Sequence, residues 1–254
     1  MSFDPILKLD GKVAVIAGGL GAIGYATAQR LAAIGATCVL LHRRGDAAAE
    51  LAAALPADAA QVHQAIFADI VDSASLRAAA AAVAASLGRC DILVNSAGHT
   101  RPVPAADLEG LSDELIDELL QANFRGVFAT IRAFTPLLKA SGDGLIVNVS
   151  SISAFTGTGS NLAYVAAKAG LDVVGDALAK VLAPLVRVVS VSPGAVASSF
   201  VPGRGSDFAA KMASSTPLGR IGLPDDVAAA IEALATTLRF VTGTRLVVDG
   251  GRHL

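Results

Sequence analysis

Tyr164 and Lys168 stand four residues apart in Tyr164-Val165-Ala166-Ala167-Lys168, and Ser151 lies thirteen residues upstream of the tyrosine. On a helix, side chains at i and i+4 share a face, so a phenol and an ammonium can act at one point. A free phenol holds its proton too tightly to exchange it near neutral pH. An adjacent ammonium favours the phenolate and brings the group into working range. Ser151 follows the β-forming run Leu145-Ile146-Val147-Asn148-Val149-Ser150, and a hydroxyl just past a strand end can meet a substrate oxygen. Together the three groups suit reversible hydride transfer at a carbonyl or alcohol carbon. The same Tyr–Lys spacing also arises on solvated helix faces, so the surrounding elements decide its meaning.

Those elements alternate from end to end. The pattern predicts strands over 12–17, 37–41, 62–67, 91–95, 145–149, 187–191 and 246–249. Between them it predicts helices over 22–34, 46–55, 73–87, 112–138, 161–183 and 224–237. Ser73 and Ser112 are expected as N-caps, Pro184 as a terminator and Pro224 within a first turn. Short, almost continuously apolar strands separated by helices indicate α/β architecture with a parallel sheet covered on both faces. No internal repeat or charged linker divides 1–254, so one domain is expected. The segment 193–223, rich in Gly, Pro and Ser, follows a strand and reads as a substrate lid.

Composition narrows the function. With 254 residues, 53% hydrophobic and 17% charged, the chain can bury a large core. The apolar excess, mostly alanine and valine, points to subunit contacts as well. A net charge of -2 gives no reason to expect nucleic acid or an anionic membrane. No apolar run has the length of a membrane span, and residues 1–10 lack the regions of a signal peptide. Cys38 and Cys90 lie in or beside expected strands, so a disulfide is not expected and a cytoplasmic setting is the default. No spacing of Cys, His, Asp or Glu suggests a metal. His42 and His63 read as strand-end and surface residues, and Arg252 and His253 as a solvated tail.

Ile16-Ala17-Gly18-Gly19-Leu20-Gly21-Ala22-Ile23-Gly24 lies between the first strand and first helix, and Gly19, Gly21 and Gly24 fit G-x-G-x-x-G. Small residues there let the backbone turn tightly and approach a pyrophosphate at a helix N-terminus. The second strand ends Leu40-Leu41-His42-Arg43-Arg44, without the carboxylate that would accept from the adenosine ribose of NAD. Arg43 and Arg44 could neutralise a 2′-phosphate, which favours NADP(H) and leaves NAD(H) possible.

With these features in order, the chain resembles the short-chain dehydrogenase/reductase superfamily in its compact single-domain branch, and is similar to 3-oxoacyl-(acyl-carrier-protein) reductases. Asn95-Ser96-Ala97-Gly98 is similar to the family's Asn-Asn-Ala-Gly signature. Asn123, Ser151, Tyr164 and Lys168 match the catalytic tetrad. Ser192-Pro193-Gly194 follows the sixth expected strand, and Asp249-Gly250-Gly251 is a late landmark. Two departures stand out: Ala17-Gly18 replaces the usual Thr-Gly opening, and Ala22 takes a common glycine position.

The resemblance implies a Rossmann-type doubly wound parallel sheet of seven strands. It implies Tyr164 as general acid or base, Lys168 on the nicotinamide ribose, Ser151 on the substrate oxygen and Asn123 in a water-linked relay to Lys168. It assigns Gly18, Gly19, Gly21, Ile23, Gly24, Asp69, Asn95, Ala97, Gly98, Pro193, Gly194, Val196 and Ser198 to the cofactor, with Asp69 at the adenine and Ser198 near the carboxamide. His99, Ser153, Phe155 and Phe200 are candidates for the substrate side, with Arg101 as a possible anion contact. A homotetramer is common among relatives. The alternatives are a non-catalytic dinucleotide-binding scaffold, against which the intact tetrad argues, and an epimerase or dehydratase with bound NAD, against which the short C-terminal region argues.

Overall fold

The computed structural model describes residues 8–43, 45, 47–59, 61–203 and 207–254. Seven parallel strands form one sheet in the order β3-β2-β1-β4-β5-β6-β7. They are β1 (Val13–Ala17), β2 (Thr37–His42), β3 (Gln64–Phe67), β4 (Ile92–Asn95), β5 (Gly144–Val149), β6 (Val186–Pro193) and β7 (Thr244–Val248). The central strands are buried on both faces: every residue of β1, β4 and β5 is buried. This is why they read as apolar runs rather than alternating ones.

Alternate strand residues feed two cores. On one face Ile16, Leu40 and Val147 pack with Leu31 of α1 (Ala22–Ala33) and Ile231 of α9 (Pro224–Ala235). On the other, Val15, Val39 and Leu93 pack with Leu76 of α3 (Ser73–Leu87), Phe134 of α5 (Gly126–Ala140) and Leu171 of α7 (Leu162–Leu182). The sheet order reverses direction at β1, whose neighbours are β2 and β4. At such a switch point the strand C-termini open a crevice, where ligands of this architecture bind.

Several boundaries differ from expectation. The cap of α3 is Asp72, whose carboxylate accepts from the Ala74 N–H, not Ser73. The expected helix over 46–55 is the shorter α2 (Ala48–Ala53). The helix expected over 112–138 is broken: α4 (Asp113–Leu120), capped by Ser112, leads into a π turn (Gln121–Arg125) before α5. Pro136 sits inside α5 near its end. Strand β6 runs on through Pro193, so Ser192 and Pro193 close the strand rather than follow it. A short helix, α6 (Ser153–Thr156), has no counterpart in the sequence reading. Within 193–223 the chain holds α8 (Phe208–Ser214) and a single bridge between Val196 and Gly222.

His63 is not a free surface residue. Its Nδ1 accepts from the Cys38 N–H at 3.0 Å and its Nε2 reaches the Pro56 carbonyl at 2.8 Å. Arg252 and His253 are tied down as well: Arg252 donates to Ser215 Oγ at 2.6 Å, and His253 Nδ1 lies 2.8 Å from Asp249 Oδ2. Both cysteines are buried free thiols, and burial pushes both up, Cys38 to about 12, so neither is a nucleophile near neutral pH. Among the described residues no helix is long and apolar enough to cross a membrane, and no cluster of His, Cys, Asp or Glu could hold a metal.

Candidate active site

The site forms at the C-terminal ends of β1, β4, β5 and β6. After β1 the chain turns at Gly18, whose φ of +77° suits only glycine. A Cβ there would lie 2.7 Å from the Ala97 backbone, and one on Gly24 would collide with the Gly18 carbonyl and Ser96 Oγ. The glycine turn thus packs against the segment after β4. Ser96 Oγ donates to Ala17 O at 2.8 Å, bracing the turn where the family's threonine hydroxyl is absent.

Helix α1 begins at Gly21, which offers no side chain to the first N–H groups, and its first turn holds no acidic residue. Unfilled donors and the positive helix end therefore face outward, as an anion such as a pyrophosphate requires. These residues fit a dinucleotide. Ile23 is half-buried against the core below the turn. An open groove of about 520 Å³ lies beside Leu20, Gly21 and Tyr25, and its lining includes none of Ser151, Tyr164 and Lys168. At the end of β2, Arg43 is exposed with no hydrogen bond or ion pair among the described residues, whereas Arg44 lies outside them. Asp69 accepts from the Val71 N–H at 3.1 Å and so shapes its own turn.

Helix α7 carries Tyr164 and Lys168. Its N-cap is Asn161, whose Oδ1 accepts from the Tyr164 N–H at 2.7 Å while its Nδ2 donates to the Arg101 carbonyl at 2.8 Å. One side chain thus fixes the start of the helix and ties it to the loop after β4. Tyr164 is 8% exposed and Lys168 4%. Lys168 Nζ donates to the Val149 carbonyl at 2.8 Å and lies 5.7 Å from the Tyr164 ring centroid. Burial lowers the Lys168 pKa from 10.5 to about 8, and the nearby charge of Asp172 opposes the fall. Ser151 Oγ accepts from the Ser153 N–H at 3.1 Å at the start of α6.

Asn123 occupies the π turn and is fully buried. Its Nδ2 donates to the carbonyls of His99 (2.9 Å) and Leu119 (3.0 Å), and its Oδ1 has no hydrogen bond among the described residues. A Cβ at Gly98 would lie 2.5 Å from that oxygen. Such a turn re-aims backbone carbonyls and recurs at functional sites.

The remaining candidates divide. Phe200 lies over the pair, its ring 6.0 Å from that of Tyr164. Pro193 and Val196 are buried, Ser198 Oγ accepts from the Phe200 N–H, and a Cβ at Gly194 would meet Asp249 at 2.8 Å. His99 pairs with Glu118 at 2.7 Å on the rim, and Arg101 is exposed. Ser153 is buried, and Phe155 packs its ring against His253 and Arg245.

Sequence reasoning named Asn95 but passed over the polar row it belongs to, which is buried except at Arg245. Asn95, Asn148, Ser190 and Arg245 stand at one level across β4 to β7. Asn95 donates to Asn148 at 2.9 Å. Asn95 Oδ1, Asn148 Nδ2, Ser150 Oγ and Ser192 Oγ are buried without partners among the described residues. The signal was present: polar residues inside otherwise apolar strands, as at Asn148.

Comparison with known proteins agrees with this geometry. The sequence model of a family described as Enoyl-(Acyl carrier protein) reductase matches residues 18–253. D-threitol dehydrogenase of Mycolicibacterium smegmatis is 38% identical over 99% of this chain and 96% of its own length. L-rhamnose 1-dehydrogenase (NAD(P)(+)) of Azotobacter vinelandii is 34% identical over 96% of this chain and 98% of its own. Among solved structures, the Short-chain dehydrogenase/reductase SDR:Glucose/ribitol dehydrogenase of Brucella melitensis superposes with a TM-score of 0.90 at 29% identity, covering 98% of this chain and 99% of its own. The fold and its relatives define an NAD(P)-dependent oxidoreductase of the α/β class. The chain belongs to the short-chain dehydrogenase/reductase family.

Proposed function

We propose that this chain interconverts a carbonyl compound and a secondary alcohol, with NADP(H) favoured over NAD(H). The observation that carries the reading is the burial of Lys168 against Val149 O, one turn from Tyr164. When bound, the nicotinamide exchanges a hydride with the substrate carbon. Tyr164 Oη gives its proton to the carbonyl oxygen in reduction and takes it back in oxidation. The Lys168 ammonium stabilises the phenolate left behind and donates to the nicotinamide ribose hydroxyls. Ser151 Oγ hydrogen-bonds the substrate oxygen and holds it beside Tyr164. The π turn at Asn123 supports a water that restores the Lys168 proton. Asn95, Ala97 and Gly98, with Gly18, Gly19, Gly21 and Gly24, would line the dinucleotide, and the described residues of the segment after β6, 193–203 and 207–223, would close over the substrate.

Two substrate classes have support. The acyl carrier protein in the family description and the sequence pattern favour an acyl thioester, of which the 3-oxoacyl form, as in 3-oxoacyl-(acyl-carrier-protein) reductases, bears the ketone such a site reduces. The threitol and rhamnose dehydrogenases favour a small polyol or sugar. A panel of 3-oxoacyl thioesters, polyols and cyclic ketones, assayed with both cofactors and with Tyr164→Phe as control, separates them. Turnover of no panel member, or turnover retained in Tyr164→Phe, sinks the proposal.

NADP(H) preference rests on the missing acid at the end of β2 and on exposed Arg43. The unit is proposed to be one domain over 1–254, working as a cytoplasmic homotetramer. Support comes from the buried free thiols and from apolar side chains left exposed on the long helices, such as Phe128 at 39% and Val173 at 67%. A monomer at micromolar concentration by light scattering refutes the assembly.

A further inference from the structure

Asp172 lies one turn beyond Lys168 on α7, so the two side chains share a face, with Cβ atoms about 5–6 Å apart. The carboxylate is buried, at 2% exposure, and among the described residues neither oxygen receives a hydrogen bond. Its partner on β7 is Arg245, with Nε 3.6 Å from Oδ2, an ion-pair distance longer than a hydrogen bond. Arg245 is itself 39% exposed and places its guanidinium 5.2 Å from the centre of the Phe155 ring. Phe155 stands four residues after Ser151, in α6.

We propose that Asp172 and Arg245 are positioning residues for the Tyr164–Lys168 pair: Asp172 holds Lys168 as the ammonium, and Arg245 sets the strength of that hold. The proposal rests on the reading of Tyr164 and Lys168 as the acid–base pair. A buried carboxylate that accepts no hydrogen bond is costly unless cations balance it. Lys168 and Arg245 are those cations, and they compete for one charge. Burial alone drives Lys168 towards the neutral amine, which cannot stabilise a phenolate. The contact of Arg245 with Phe155 links the balance to the segment that carries Ser151.

Two titratable side chains flank the pair on α7: Tyr164 on the active-site side and Asp176, a half-buried like charge one turn beyond Asp172. Beneath α7, β5 and β6 present neutral Asn148 and Ser190, which lie nearest Gly175. Arg187 of β6 donates to the carbonyls of Leu234, Leu238 and Val241 instead. Arg125 of the π turn donates to Val71 O, α6 carries no charge, and the acids of α4 are exposed, with Glu118 paired to His99. His253 and Asp249, behind Phe155, pair with each other.

The test is a pH titration of the Lys168 ε-carbon by NMR in full-length protein carrying ε-¹³C-lysine, with the signal assigned by its loss in Lys168→Met. It needs neither cofactor nor substrate, so it can fail while the catalytic reading stands, and the catalytic reading can fail while it succeeds. Asp172→Asn is expected to lower the Lys168 midpoint by about one to two pH units, the size expected for unit charges at this separation in a protein. Arg245→Gln is expected to raise it, and Arg245→Lys to leave it near the parent value. Opposite signs cannot come from general loosening of the fold. Should Asp172→Asn not fold, Arg245→Gln, at a half-exposed site, still decides. A midpoint unchanged in Arg245→Gln, or shifted the same way in both variants, overturns the proposal.

Discussion

The two halves of this site are made by opposite means. Around β1 and α1 it is built from missing atoms: Gly18 and Gly24 leave room for backbone to touch backbone, and Gly21 leaves helix donors uncapped. Around β4 to β7 it is built from polar atoms carried into the interior: Asn123, Asn148, Lys168 and Asp172 are all buried. A phosphate-bearing cofactor needs only close, aligned N–H groups, which any chain supplies once side chains stand aside. Proton transfer needs particular functional groups at particular energies, and those must be desolvated to be tuned. The first half should therefore break when atoms are added, and the second when polar atoms are taken away.

The largest effect is expected in the second half. Tyr164→Phe should lower turnover by about 10²–10⁴-fold while dinucleotide affinity, read by cofactor fluorescence, changes by less than about twofold. Retention of more than roughly a tenth of the rate would remove Tyr164 from proton transfer. In the first half, Gly24→Val should do the reverse. Its new atoms meet Gly18 O and Ser96 Oγ, and overpacking of this kind costs about 1–3 kcal/mol. Calorimetric titration should show cofactor affinity falling by about 5–100-fold. Unchanged affinity would mean that the turn does not hold the pyrophosphate.

Arg43 belongs to neither construction, since it is exposed and makes no hydrogen bond or ion pair among the described residues. Charge-assisted hydrogen bonds are worth about 1.5–3 kcal/mol, so Arg43→Ala should cut the NADPH-over-NADH ratio of kcat/KM by about tenfold to a hundredfold. An unchanged ratio would leave Arg43 a solvated cation. The smallest effect is on stability. Lys168 has its pKa lowered to about 8, so between that pH and 10.5 the unfolded chain binds more protons than the folded one. Folding therefore bears the full cost of the buried ammonium below about pH 8 and sheds it as pH rises towards 10.5. Lys168→Met should stabilise the protein by about 1–3 kcal/mol at pH 7, with the gain vanishing near pH 10.5. A loss of stability at pH 7, read by thermal unfolding, would show that the Val149 bond and the counter-charge to Asp172 outweigh desolvation.

The same contrast explains what could be read from sequence. Glycine spacing, apolar strands and the Tyr164–Lys168 interval are periodic or local, and each was visible as a pattern. A parallel sheet covered on both faces followed from alternation, and the seven strands observed are the number that the resemblance implied. The π turn was not read, because its only mark is a phase break between two short apolar stripes, Leu115 and Leu119 before it and Val127, Ile131, Phe134 and Leu138 after it. The cap at Asp72 was passed over because Ser73, its neighbour, is an equally good capping type. Ser96 looked like an ordinary serine, and only the path of the turn shows that its hydroxyl braces Ala17. Nothing local in the sequence marks Asp172. Its burial depends on β7, which lies more than seventy residues away in the chain.

The π turn also constrains how this chain can vary. Each residue advances a helix by about 100°, so the extra one lets α4 and α5 choose their buried faces independently. Before it, Leu115 and Leu119 meet Ala163 at the head of α7. After it, Val127, Ile131, Phe134 and Leu138 serve the main core. Excising any one residue between 121 and 125 would restore an unbroken helix. It would also swing one of those two faces out of register by more than a quarter turn. Point substitutions here are local events, whereas a single-codon deletion would be felt along the whole length of α5.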